Sequence, residues 1–225
     1  GDAFTTGEHN VALGYQALTS DTEGSRNVAI GSNSLNSQNG VSGTVYNVAV
    51  GYAAGQNVTS GVQNTIVGGQ AGDALTDADF NTVSGYQALT ADTKGSRSTA
   101  LGYKTLFAQN FTTATDTYNT AVGFEAGSST TTGNQNTLIG GLSGNAITTG
   151  GGNTIVGYNN DVPAVDNNFS IIMGTGVTGV GGDNFTFGRG SLDSNIAFGA
   201  TSITAPSDER YKENIEDSTA GLSFI

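Results

Sequence analysis

Side chains able to do chemistry are few in this sequence and unevenly placed. The whole chain has 7 basic and 19 acidic side chains, and seven of these crowd into SDERYKENIED at 207–217: Asp208, Glu209, Arg210, Lys212, Glu213, Glu216 and Asp217. By residue type alone this is a solvated helix start, with Ser207 as N-cap and Asp208 and Glu209 favouring the helix dipole. A Ser hydroxyl is a poor nucleophile at neutral pH, and a Lys amine activates one only where burial or a neighbouring cation depresses its pKa. A second candidate is GDALTDADFN at 72–81, whose Asp73, Asp77 and Asp79 could offer hard oxygen ligands to Ca²⁺. Their spacing matches no EF-hand, so a solvated loop is expected and no metal or cofactor is assigned. The single His9 and the absence of Cys remove most acid/base arrangements, disulfides and thiolate metal sites.

The rest of the composition describes a sparsely charged, turn-rich chain. Gly accounts for 35 of 225 residues, about twice the usual share, with only 2 Pro. Gly and Asn accept the positive φ that tight turns demand, so many short strands are expected and long helices are not. A net charge of −12 with seven Lys and Arg argues against a nucleic-acid surface and against docking on anionic lipid. No apolar run reaches the roughly 18 residues of a membrane span, so no membrane insertion is expected. The start at Gly1 reads as the edge of a cut fragment.

Order in the sequence separates this chain from a low-complexity one. A five-residue motif of Asn, Val or Thr, two small or aliphatic residues and Gly recurs as NVALG at 10, NVAIG at 27, NVAVG at 47, NTIVG at 64 and NTVSG at 81. It continues as STALG at 98, NTAVG at 119, NTLIG at 136 and NTIVG at 153. The closing glycines are Gly14, Gly31, Gly51, Gly68, Gly85, Gly102, Gly123, Gly140 and Gly157, seventeen apart except where insertions lengthen the second and sixth intervals, before Gly51 and Gly123. On top of this lies a longer period, because GYQALTSDTEGSR at 14 returns as GYQALTADTKGSR at 85. Four places after the closing Gly stand Leu18, Leu35, Gly55 and Gly72, then Leu89, Leu106, Gly127 and Gly144. The array reads as a duplicated four-rung block.

Seventeen residues suit one coil of a parallel β-solenoid or β-roll, with room for two strands of about five residues and two turns. Nine such rungs, stacked at ~4.8 Å, give a rod of roughly 43 Å. The Asn residues at 10, 27, 47, 64, 81, 119, 136 and 153 should form a side-chain ladder along it. Strand alternation sends Val11 and Leu13 one way and Ala12 the other, yet both faces are apolar in every rung. A slim coil has one interior, so the second apolar face implies cover by other copies of the chain in a parallel homo-oligomer. The aromatic column Tyr15, Tyr52, Tyr86, Tyr103, Phe124 and Tyr158 is expected to pack on neighbouring rungs, with stacking on sugars as the alternative. The Thr column 65, 82, 99, 120, 137 and 154 raises an ice-binding face, weighed against its sharing of a strand face with aliphatics. Two insertions, around 37 to 46 and 108 to 118, are the candidate recognition loops.

The Asn-x-Ala-Ile/Val-Gly-Tyr rungs resemble the head repeats of trimeric bacterial adhesins and, more closely, the repeat arrays of phage tail-fibre-like proteins. The resemblance covers residues 10 to about 161 and implies a β-roll assembled as an intertwined homotrimer. Its rungs are longer than those of adhesin heads. Beyond it, SDERYKENIED with GLSFI at 221 resembles the opening of the intramolecular chaperone domain that ends many tail fibres and tailspikes. That resemblance implies a single self-cleavage using Ser207 and Lys212, with the broken bond between Ser207 and Asp208. The chain ends at Ile225, soon after Ser207, so the pair is expected to be inert here and active in a protein with the whole domain.

The expected organisation is an all-β chain: a repeat β-roll over 1–161, an irregular β-prism-like stem or cap over 162–206, and the truncated start of a chaperone domain over 207–225. The expected function is structural. It is a segment of a phage tail fibre or similar appendage, on a virion or cell surface, that meets a cell-surface glycan or protein receptor through exposed loops. The head of a bacterial trimeric adhesin is the alternative, followed by an ice-binding solenoid or a glycan depolymerase. No turnover enzyme is expected, because the carboxylates are scattered in turns.

Overall fold

The structure, a computed structural model, describes residues 1–200. Sixteen short strands carry the fold: β1 (Val11–Leu13), β2 (Gly24–Ser25), β3 (Val28–Ile30), β4 (Gly43–Thr44), β5 (Val48–Val50), β6 (Thr65–Val67), β7 (Thr82–Ser84) and β8 (Gly95–Ser96). They continue as β9 (Thr99–Leu101), β10 (Thr115–Asp116), β11 (Thr120–Val122), β12 (Thr137–Ile139), β13 (Thr154–Tyr158), β14 (Ile171–Thr175), β15 (Asn184–Arg189) and β16 (Leu192–Ala197). Twelve of them form one sheet in the order β1-β3-β5-β6-β7-β9-β11-β12-β13-β14-β15-β16. Every neighbour pair is parallel except β15 with β16, so the chain is an all-β parallel solenoid of eleven rungs ended by one antiparallel strand. At ~4.8 Å per rung the stack is about 48 Å long.

The register is set by the five-residue motif. Val11 pairs with Val28, Ala12 with Ala29 and Leu13 with Ile30, and the same triplet positions face each other through Val156 beside Met173. The middle residue points inward: Ala29, Ala49, Ile66, Val83, Ala100, Ala121, Leu138, Ile155 and Ile172 are fully buried. Glycines make room for larger side chains of neighbouring rungs along the axis. A Cβ on Gly127 would stand 2.6 Å from Leu138 Cδ1 and 3.0 Å from Leu106 Cδ2, and one on Gly55 would stand 2.9 Å from Ile66 Cδ1. The Leu, Leu, Gly, Gly alternation is thus the space that the larger inward residues need.

Only three residues of a typical rung are extended, where the sequence suggested two strands of about five. The remainder is turn, because several positions per coil take the left-handed conformation, as at Asn33, Leu35 and Tyr46 with φ of 60°, 46° and 61°. Leu18, Leu35, Leu89 and Leu106 adopt it, a conformation that costs an L-residue roughly 1–2 kcal/mol. Each of these four is fully buried, and burial of a Leu side chain returns about 1.5–3 kcal/mol.

The Asn column is a brace between side chain and backbone more than an amide ladder. Asn64 Oδ1 accepts the backbone N–H of Asn81 at 2.9 Å, while its Nδ2 donates to the carbonyl of Ala78 at 2.8 Å. The same pair of bonds recurs at Asn47, Asn119, Asn136 and Asn153. At Ser98, which lacks the amide, the hydroxyl meets Thr117 Oγ1 at 2.6 Å and receives Gln109 Nε2 at 3.0 Å.

The stack runs two rungs beyond the nine that the motif marks. β14 follows β13 in register, with Gly174 beside Gly157, and Ser170 takes the place of the Asn by donating its N–H to Asn153 Oδ1. β15 adds Gly188 beside Gly174, and β16 folds back antiparallel on it from Arg189↔Leu192 to Asn184↔Ala197. Where the sequence suggested a stem or cap over 162–206, the described part carries these two rungs and a closing strand. That strand pairs the edge that an open solenoid would expose.

Candidate functional site

The outward face of the sheet runs along all eleven rungs of the rod. Its first column holds Thr at six consecutive rungs, from Thr65 to Thr154, flanked by Val or Ile and finally Phe185. Its second column is aliphatic or aromatic in every rung except Ser84, from Leu13 to Phe187. Val67 is 38% exposed, Ile139 39% and Met173 44%. Aromatic side chains line both margins. Tyr46, Phe80, Tyr118 and Phe169 immediately precede the buried Asn or Ser of their rungs, and Tyr15, Tyr52, Tyr86, Tyr103, Phe124 and Tyr158 follow the closing Gly. Of the large apolar side chains left exposed among the described residues, only Val165, Val180, Leu192 and Phe198 lie off this face and its margins.

The margins are internally ordered. Tyr86 stacks on Tyr103 with centroids 5.9 Å apart, and Tyr103 on Phe124 at 5.1 Å, in nearly parallel planes. Rings stacked along the axis hide their faces in each other and offer edges outward, so these three are poorly suited to stacking a sugar ring. On the opposite margin the Arg97 guanidinium lies between Phe80, 5.0 Å from the centroid, and Tyr118 at 6.0 Å, and it also pairs with Asp116. The Thr column shares its face with an aliphatic column, which distinguishes it from a two-column Thr array.

The three carboxylates weighed as calcium ligands point to separate partners. Asp73 accepts the Thr90 hydroxyl, Asp77 faces Lys94 Nζ at 3.5 Å, and Asp79 Oδ1 accepts the Val62 N–H at 2.8 Å. Among the described residues no three His, Cys, Asp or Glu gather in a metal-binding group. Burial pushes the Asp73 carboxyl above its ordinary range, opposed by the Thr90 hydroxyl and its own backbone N–H. Burial does the same to Asp161, opposed by the N–H groups of Val162 and Ala146. A raised carboxyl contributes stability that is complete below its ordinary pKa and lost as pH climbs through the raised value. Asp73→Asn keeps an acceptor for Thr90 and never ionises. Its thermal midpoint should therefore gain on the parent's as pH rises from about 4 to about 7; a variant midpoint that keeps a constant offset from the parent's, or falls further behind it, over this range would contradict the assignment.

Both insertions hang on a buried carboxylate. Asp21 Oδ1 accepts the Gly24 N–H at 2.8 Å and Oδ2 accepts Gln38 Nε2 at 3.0 Å, while Gln38 Oε1 receives Asn47 Nδ2 at 3.0 Å. In the second block, Asp92 holds the Gly95 N–H at 3.1 Å and Gln109 Nε2, and Gln109 Oε1 receives Asn119 Nδ2 at 2.8 Å. Asp21 and Asp92 are 1% and 0% exposed and form no ion pair among the described residues; backbone and amide donors satisfy their oxygens. These clamps fix two small two-stranded sheets, β2 with β4 and β8 with β10, at equivalent positions in the two four-rung blocks. The sequence signal was present, in the repeated Asp and Gln of a sparsely charged rod, but it reads locally as duplication alone. Ser207, Asp208 and Lys212 lie outside the described residues. No protein-family model, curated protein or solved structure matches the chain.

Proposed function

We propose that this chain is a rigid segment of a homotrimeric fibre, of the phage tail-fibre kind, that carries its insertion loops to a cell-surface receptor in host attachment. The observation that carries the proposal is the outward sheet face. A stripe of aliphatic and Thr side chains about 50 Å long, bordered by aromatics and roughly 15–20 Å wide, offers about 800–1,000 Å² per chain, the scale of a stable protein interface. A parallel rod matches its copies most simply when they lie side by side, each covering another's stripe. SDERYKENIED supports the same reading through its resemblance to a trimer-assembling chaperone. In a protein holding that whole domain, Ser207 and Lys212 would cut once before Asp208, when assembly has built a pocket that depresses the Lys pKa.

Val67→Lys with Ile139→Lys places two charges on the stripe and leaves the interior untouched. The double variant should fall to a smaller species in solution while keeping the parent's β-sheet circular dichroism. Retention of the parent's mass by the folded variant would remove this face from the interface.

A further inference from the structure

The two insertions differ in one respect that the duplication makes plain. In the second, Phe111 is nearly buried at 7% exposure and ties the loop down. Its N–H donates to Asp92 Oδ1 at 2.9 Å, and its carbonyl receives the Lys94 N–H and the Thr93 hydroxyl, each at 2.9 Å. In the first, the equivalent residue is Gly40, with φ +98° and nothing within 4 Å of where its Cβ would stand. The Gly40 N–H turns to the Oδ1 of Asn39 at 2.8 Å, leaving Asp21 without the second backbone tie. The loop stands off the rod, and the gap is a polar cavity of about 250 Å³ lined by Thr22, Glu23, Asn39, Gly40, Val41 and Ser42.

We infer that the first insertion holds a binding cleft for one neutral sugar unit of a glycan. The lining supplies two hydroxyls, one side-chain amide and one carboxylate, groups that pair with the adjacent hydroxyls of a pyranose, while Val41 adds an apolar patch. Glu23 makes no ion pair among the described residues, whereas Lys94, its counterpart, pairs with Asp77. An acceptor-only carboxylate on a chain of net charge −12 disfavours an anionic ligand. The volume lies just below the ~300–1,000 Å³ of drug-sized pockets, which fits a single ring. None of the lining residues belongs to the apolar stripe. The inference rests on reading the insertions as recognition loops and is independent of how many copies assemble.

The test is saturation-transfer NMR on the 225-residue protein, with the methyl glycosides of glucose, galactose, mannose and N-acetylglucosamine as probes. Two variants accompany it: Glu23→Lys, which copies the second site's charge, and exchange of residues 38–46 for the sequence of 109–118, which brings in the Phe and its own backbone. At least one probe should show transfer with the parent, and that signal should vanish in both variants while their mass and circular dichroism stay those of the parent. Absence of transfer from all four probes, or transfer that persists in either variant, overturns the cleft. Neither result depends on the parent's mass, which tests the assembly separately.

Discussion

Gly51→Ala should destabilise the rod by at least about 3 kcal/mol, while Gly69→Ala, one rung further along, should cost less than about 1 kcal/mol. The two glycines differ in what their missing side chains would meet. Gly51 has φ +139°, and a Cβ there would lie 2.5 Å from the carbonyl oxygen of Gly68 and 2.6 Å from its carbon. These are backbone atoms of the next rung, held by the ladder on both sides, so they cannot step aside as a side-chain tip could. The same contact recurs at Gly14 and Gly123, facing the carbonyl oxygens of Gly31 and Gly140 at 2.5 Å. A Cβ on Gly69 would instead sit 3.5 Å from the Tyr86 ring, in ordinary contact. Urea midpoints at one fixed protein concentration provide the comparison, since association shifts apparent stability. Equal effects of the two substitutions would show that the closing glycines are not close-approach positions.

Asn64→Ala should cost about 3–5 kcal/mol, more than its modest buried volume suggests. The change removes two partners at once: the Asn81 N–H loses its acceptor and the Ala78 carbonyl its donor. Each group then stays buried without a partner, at about 1–3 kcal/mol apiece. Asn64→Asp is the discriminating control. It is nearly isosteric and keeps an acceptor for Asn81, but it turns a carboxylate oxygen toward the Ala78 carbonyl. Asp should therefore be nearly as damaging as Ala at neutral pH, and less damaging in acid, where the protonated carboxyl can donate. If the Asp variant matched the parent at neutral pH, Nδ2 would be contributing nothing and the brace would reduce to one bond.

The rod itself was readable because its physics is periodic. Seventeen-residue spacing, an Asn that must satisfy backbone, and a Gly that must admit the next rung each leave a mark at fixed intervals, and register followed from them directly. Alternation at Val11, Ala12 and Leu13 also anticipated that one apolar face of the strands would lie outside the coil. Three things were hidden for specific reasons. Leu18 and Leu35 give no local hint of a left-handed backbone, because that conformation is imposed by the stack, so turns were mistaken for second strands. The last two rungs lost their marker when Ser170 replaced Asn and when Gly188 followed Gly174 at a shorter interval than a full coil. Nothing local marks Asp21 and Asp92 as buried, because Gln38 and Gln109, distant in sequence, close over them only once the coil is formed.

Of the candidate sites, the sequence could not show that Asp73, Asp77 and Asp79 each face a different partner. The insertions stood out by length alone. What length could not convey is that one is filled by Phe111 and the other is open at Gly40.

The central claim is that the outward stripe is covered by other copies of this chain. The mass of the 225-residue protein in solution, measured by light scattering across a dilution series, tests it most directly. The account predicts a species of three times the 22.7 kDa chain mass that persists on dilution. A folded species that remains at 22.7 kDa throughout would contradict it.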